Sequence, residues 1–139
     1  VLLKVQSGSI NSYRGTIKKF MEEVIPDCSM DLLQNTYRKL LLDVYHLWVY
    51  HREDETRMFV MTSLNKDFFT DQNIFSVIGI YSPDGTNLEE WAEVIDTLKP
   101  FAKKFNCTKY EFLMVNKHIW HYIDELNPIV DARYCQINF

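Results

Sequence analysis

Apolar residues along this chain change their period several times, and each change marks an element. Val1 to Val5 is a short apolar stretch compatible with a first strand, and Ser7-Gly8-Ser9 after it is turn-prone. Ile10, Tyr13, Ile17, Phe20, Met21 and Val24 then recur at steps of three and four, leaving Arg14, Lys18, Lys19, Glu22 and Glu23 largely for solvent. That spacing predicts an amphipathic helix, closed by Pro26 and Asp27. Ser29 is placed to cap a second helix with Leu33, Tyr37, Leu40 and Leu41 on one side, ending near Leu42. From there the chain is rich in Val, Tyr and Trp, which favour a pleated surface, and Tyr45 to His51 reads as a strand. Glu53-Asp54-Glu55 reads as a charged hairpin turn and Arg57 to Leu64 as the antiparallel return strand.

A polar loop, Asn65 to Asn73, leads into Ile74 to Ser82, apolar enough to lie in the middle of a sheet. Ser82-Pro83-Asp84-Gly85 is a turn signal, and Asn87 with Glu90 three residues later has the spacing of a capping box. The long helix expected next carries Leu88, Trp91, Ile95, Leu98, Ala102 and Phe105 on one stripe, with Trp91, Ile95 and Leu98 buried together. Pro100, lacking a backbone donor, should kink or interrupt it. Tyr110 to Val115 reads as another central strand, Lys117 to Leu126 as a short helix and Ile129 to Phe139 as a final strand. The order is βααβββαβαβ, an α/β arrangement in one domain spanning residues 1–139. The helix between the strand before Ser82 and the strand at Tyr110 makes a crossover between parallel neighbours, while the earlier strands form an antiparallel meander, so the sheet is mixed.

Composition narrows the function classes. The 139 residues are 47% hydrophobic and 24% charged, a folded-protein profile. With net charge −4 and no long basic run, direct nucleic-acid binding is not expected. Cys28, Cys107 and Cys135 are odd in number and widely spaced, matching neither a zinc pattern nor a disulfide framework, which points to a reducing, cytoplasmic setting. No apolar stretch is as long as a membrane span, and no charged-then-apolar leader opens the chain. Three Trp, eight Tyr and nine Phe make 14% of the chain aromatic, enough for a large core with rings left to face a partner.

Few residues form a chemical constellation. His118 and His121, three apart on an expected helix, could share a face, with Asp124 nearby, but spacing specifies no third ligand and no metal site is expected. His46 and His51 are five apart in a strand and point to opposite faces. No glycine-flanked serine elbow is present, and Cys107 and Cys135 read as small buried residues. Glu53, Asp54 and Glu55 read as a soluble turn.

The stretch from Ile74 to Pro128 resembles the GNAT superfamily of acyl-CoA-dependent N-acetyltransferases. In that family a strand ends near a Pro, a glycine-rich loop and a long helix follow, and then come a hydrophobic strand and an Asn that opens a shorter helix. Here those landmarks are Pro83, the helix from Leu88, the strand YEFLMV and Asn116, and Leu126-Asn127-Pro128 stands where the family has a Leu-Gly-Phe type turn. The resemblance implies a mixed sheet with helices on both faces, and a pyrophosphate held by backbone amides at Gly85, Thr86, Asn87 and Leu88. It also implies a Tyr that protonates the leaving thiolate, for which the matching position is Ile123, leaving Tyr122 as the nearest candidate.

The family loop reads Gln or Arg, two residues, Gly, one residue, then Gly or Ala, so that glycines let the backbone approach the phosphates. This chain has Ser82-Pro83-Asp84-Gly85-Thr86-Asn87-Leu88-Glu89-Glu90, with one glycine, no Arg or Lys and three acids, two of them on the positive end of the helix. The expectation is loss of acetyl-CoA binding, no cofactor, and a role as an interaction or accessory structural protein. Its size and pattern are similar to small accessory and internal virion proteins of tailed bacteriophages, which would place it in the host cytoplasm or in a virion. Trp120 and Tyr122, alternating with His118 and His121, are the expected contact residues for a protein partner or a second copy. An active acetyl-CoA-dependent N-acetyltransferase with an atypical loop is the alternative.

Overall fold

The structure, a computed structural model, describes residues 1–112. Through them run β1 (Leu2–Lys4), a 3-10 helix (Ser7–Tyr13), α1 (Arg14–Val24), α2 (Met30–Leu41), β2 (Tyr45–Arg52), β3 (Glu55–Lys66), β4 (Asn73–Tyr81), α3 (Leu88–Lys104) and β5 (Cys107–Phe112). The expected helix at Lys117 to Leu126 and strand at Ile129 to Phe139 lie outside the described residues. So do Asn116, His118, Trp120, His121, Tyr122, Ile123, Asp124 and Cys135.

Local chemistry explains where the elements start and stop. The helix expected from Ile10 begins as a 3-10 segment, because Ser7, Gly8, Ser9 and Ser12 favour turns and the Ser12 hydroxyl donates to the Ser9 carbonyl at 2.7 Å. Ser29 caps α2 as expected, its Oγ accepting from the Leu32 amide at 3.1 Å. Only Glu53 and Asp54 separate the paired residues Arg52 and Glu55, so the hairpin loop is one residue shorter than the sequence suggested. Both adopt positive φ, 53° and 63°, which is a type I′ turn built without the usual Asn and Gly. Pro100 does not interrupt α3, which ends at Lys104 and is closed off by Asn106, a left-handed residue (φ 57°) whose amide bonds back to the Lys103 carbonyl.

The described strands form one sheet in the order β1-β2-β3-β4-β5. The first three interfaces are antiparallel and the β4-β5 pair is parallel, with α3 as the crossover between them, as expected. Alternation along the strands builds two cores. Trp48, Tyr50, Met58, Val60, Phe75, Val77 and Ile80 pack with Trp91, Val94, Leu98 and Ala102 of α3. Leu47 and Met61 pack with Ile17, Phe20, Met21 and Val24 of α1 and Leu40 of α2 on the other face. Helices therefore cover both faces.

The phase of α3 differs from the expected stripe. Val94 is fully buried while Ile95 is half-buried and Leu88 and Phe105 are exposed, so the inward line runs Trp91, Val94, Leu98, Ala102. The bulk of Trp91 sets this rotation, since its ring is among the largest fully buried side chains in the molecule.

Candidate functional site

The segment that joins β4 to α3 is where a ligand could meet free backbone donors. A bulge shapes the end of β4: Met61 pairs with Gly79 and Thr62 with Val77, leaving Ile78 as the extra residue. Gly79 is needed there, because a Cβ would meet Phe20 Cε1 at 3.1 Å and Val24 Cγ1 at 3.2 Å, both on α1. No sequence pattern pointed to Gly79. The sequence places it in an apolar strand, and its requirement arises only from a helix crossing the bulge.

After Tyr81 the chain makes a turn closed by the Gly85 amide on the Ser82 carbonyl at 3.1 Å. Ser82 reinforces it, its hydroxyl lying between the carbonyls of Gly85 and Arg57. Gly85 has φ of 80° with open space around it. Asn87 then caps α3, its Oδ1 accepting from the Glu90 amide at 2.9 Å. Of the four residues expected to cradle a pyrophosphate, Gly85, Asn87 and Leu88 are exposed and Thr86 is half-buried, and they are contiguous at the helix N-terminus. The amides of Gly85 and Glu90 are committed within the turn and Pro83 has none to give. The first-turn amides of Leu88 and Glu89 have no partner among the described residues.

Two of the three acids of this turn are paired with arginines, which a loop without Arg or Lys did not announce. Glu90 is buried and held bidentately by one edge of the Arg57 guanidinium, Nε to Oε2 at 3.1 Å and Nη2 to Oε1 at 3.2 Å. Glu89 pairs with Arg52 at 2.8 Å. The side-chain hydrogen bonds and then the charge of Glu90 raise the Arg57 pKa, and the charge of Glu89 raises that of Arg52. Both arginines come from the β2-β3 hairpin, 33 and 37 residues earlier, and nothing local in the sequence announces the pairing. Asp84 stays exposed on the turn. One turn along α3, Glu93 accepts the hydroxyl proton of Tyr50, and burial with that bond pushes the Tyr50 pKa up to about 12.

The remaining candidates lie elsewhere. His46 is buried, with Nδ1 3.4 Å from Thr62 Oγ1, which also receives the Trp48 indole proton at 2.9 Å, and the Phe101 ring stands edge-on to it. Burial holds its pKa below 6.5, against the pull of Asp43. His51 bonds Thr56 at 3.1 Å, Cys28 and Cys107 are half-buried free thiols, and burial pushes the Cys107 thiol up. Among the described residues no three His, Cys, Asp or Glu side chains gather into a metal site, and no helix is long and apolar enough to cross a membrane. The loop before β4 is not polar throughout: Phe68 and Phe69 are 93% and 91% exposed.

No family model and no curated protein matches the sequence. Solved structures do match the fold. An aminoglycoside acetyltransferase from an uncultured soil metagenomic sample, in complex with trehalose, superposes with a TM-score of 0.74 at 7% identity, over 100% of this chain and 94% of that one. A predicted acetyltransferase with acetyl-CoA from Clostridium acetobutylicum gives 0.72 at 14% identity, over 99% and 95%. The ribosomal-protein-alanine N-acetyltransferase of Brucella melitensis biovar Abortus gives 0.71 at 13% identity, over 100% and 99%. Such identities speak for the fold alone, in which element order and core alternation persist while side chains change. A mixed sheet flanked on both faces, with a parallel β4-α3-β5 unit, is the fold this chain shares with the GNAT acetyltransferases.

Proposed function

We propose that this chain is a GNAT-fold interaction or accessory structural protein, of the kind assembled into a bacteriophage particle, that does not hold acetyl-CoA. The observation that carries this reading is the β4-α3 turn, which meets part of its own hydrogen-bonding capacity and the helix dipole with its own groups. Two of its amides are used by its own carbonyl and side-chain acceptors, a third position is Pro83, and the helix dipole is already met by Glu89 and Glu90. A pyrophosphate would have to displace these contacts and meet Asp84 with no cation on the turn to offset it. The same surface then serves as a scaffold for protein contacts, from a partner or a second copy.

A specific observation favours a second reading, an acetyl-CoA-dependent N-acetyltransferase. Arg52 and Arg57 neutralise two of the three acids, and the amides of Leu88 and Glu89 remain at the helix tip. In that reading the backbone from Gly85 to Leu88 holds the pyrophosphate and Tyr122 is the acid. A thermal-shift scan with acetyl-CoA separates the two, because a ligand at about 100 times its Kd adds about 2.7 kcal/mol to a protein that binds it. The expected result is no shift. A shift that disappears in Gly85→Val, whose side chain does not suit a φ of 80°, would establish the transferase reading instead.

A further inference from the structure

We propose that Lys4, Asp43 and His46 form a proton-operated clasp at the edge of the sheet, in which a charged His46 draws the Asp43 carboxylate away from Lys4 and loosens β1. The device lies outside the β4-α3 turn and stands whichever functional reading holds.

His46 of β2 is buried where three other segments meet. Thr62 of β3 lies beside one ring nitrogen, Asp43 of the α2-β2 link beside the other, and the Phe101 ring of α3 stands edge-on with its centroid 5.4 Å away. The buried Thr62 hydroxyl fixes the neutral tautomer. Its Oγ1 accepts the Trp48 indole proton at 2.9 Å, and its own proton has His46 Nδ1, at 3.4 Å, as acceptor. The ring therefore carries its hydrogen on Nε2, which stands 3.9 Å from Asp43 Oδ1, beyond hydrogen-bond reach. That same oxygen accepts from Lys4 Nζ at 2.9 Å. One carboxylate oxygen thus lies between two bases, bonded to the first and a short shift from the second.

A proton on His46 changes which partner Asp43 serves. Among the described residues Asp43 and Lys4 are the charged groups that bear on the ring, one from the link and one from β1, while Thr62, Trp48 and Phe101 are neutral. Burial above all, with the Lys4 charge, holds the pKa of the ring below 6.5 against the carboxylate and carbonyl of Asp43. Once the proton is on, a buried imidazolium without a bonded anion is costly, whereas the Lys4 ammonium can turn to water. Asp43 is the member free to move. It is exposed, sits at φ 59° between the exposed Leu42 and Val44, and has about 1 Å to close for a charge-assisted bond. The Lys4–Asp43 pair ties β1 to the link, and β1, three residues long, has a strand neighbour on one side only. Losing a surface ion pair of this kind raises local opening of β1 by at most about fivefold.

Native-state hydrogen exchange read by NMR tests this, with the imidazole signal of His46 followed on the same samples. The probe is the Val5 amide, just past Lys4, which bonds the Leu47 carbonyl at 2.8 Å. Its protection factor should fall about two- to fivefold as His46 titrates, while the amides of β3 and β4 keep theirs. In Lys4→Gln the Val5 amide should start at the lower value and fall no further, and in His46→Gln the higher value should persist at acid pH. Lys4→Gln replaces a side chain outside the core, so the test stands even if His46→Gln folds poorly. Val5 protection that holds through the His46 titration overturns the clasp, as does a fall that survives in either variant or one shared by the whole sheet. A ring that stays neutral down to about pH 4, where aspartates in general lose their charge, overturns it too.

Discussion

Replacing Gly79 by Ala tests the junction between β4 and α1, on which the geometry of the following turn depends. The new methyl would lie 3.1 and 3.2 Å from Phe20 Cε1 and Cζ and 3.2 Å from Val24 Cγ1. Phe20 is 1% exposed and edge-on to Tyr81, so it has little room to retreat. Overpacking of this kind costs roughly 1–3 kcal/mol, while a stiffer unfolded chain returns roughly 0.4–1 kcal/mol, which leaves a net loss of about 1 kcal/mol. For a chain of this size that lowers Tm by about 3–6 °C. Urea unfolding followed by Trp fluorescence reads the change, and Phe20→Leu supplies the control. If the clash is the cause, the double variant Gly79→Ala/Phe20→Leu should be more stable than the sum of the singles by about 1 kcal/mol. A Gly79→Ala protein as stable as the parent, or two substitutions that simply add, would refute the argument.

Three other outcomes are expected. Val94→Ala should cost about 2 kcal/mol and Ile95→Ala about half of that, by urea midpoint, because Val94 is on the buried line of α3 and Ile95 on its margin; the reverse order would contradict the helix phase. Glu53→Asn with Asp54→Gly should gain about 1 kcal/mol by relieving two left-handed residues in the hairpin turn. His46, held below its ordinary 6.5 by burial, binds its proton more weakly folded than unfolded, so the stability it permits is complete above 6.5 and falls as pH drops. Melting of His46→Gln and the parent at about pH 7.5 and 5.5 should show the parent losing ground at the lower pH, and parallel losses would sink the idea.

The elements that could be read from the sequence are those whose cause is local. The period of α1, the Ser29 cap and the Asn87 cap each follow from residues within a few positions of one another. What could not be read depends on contacts distant in sequence. Ile95 and Val94 are adjacent apolar residues on one helix, and only the placement of Trp91 against the sheet decides which turns inward. Phe68 and Phe69 were hidden in a stretch whose other residues are polar, where composition suggested a loop and said nothing of which rings it would expose. The candidate site was legible as a position and not as an electrostatic environment, since its turn spells out three acids and the compensating arginines arrive from another hairpin.

That last difference changes what the turn can do. An acid in the first turn of a helix stabilises it through the macrodipole, and a buried one needs a partner to offset its desolvation. Glu90 is both, so Arg57 does two jobs: it keeps the buried carboxylate satisfied and ties β3 to the start of α3. Arg52 and Glu89 repeat the tie at the surface. The positive charge of Arg52 and Arg57 holds the hairpin against the helix, and Asn87, Glu89 and Glu90 meet the helix end only in part. A phosphate entering the turn would find two open amides beside an exposed Asp84, with its cations already bidentate or paired elsewhere.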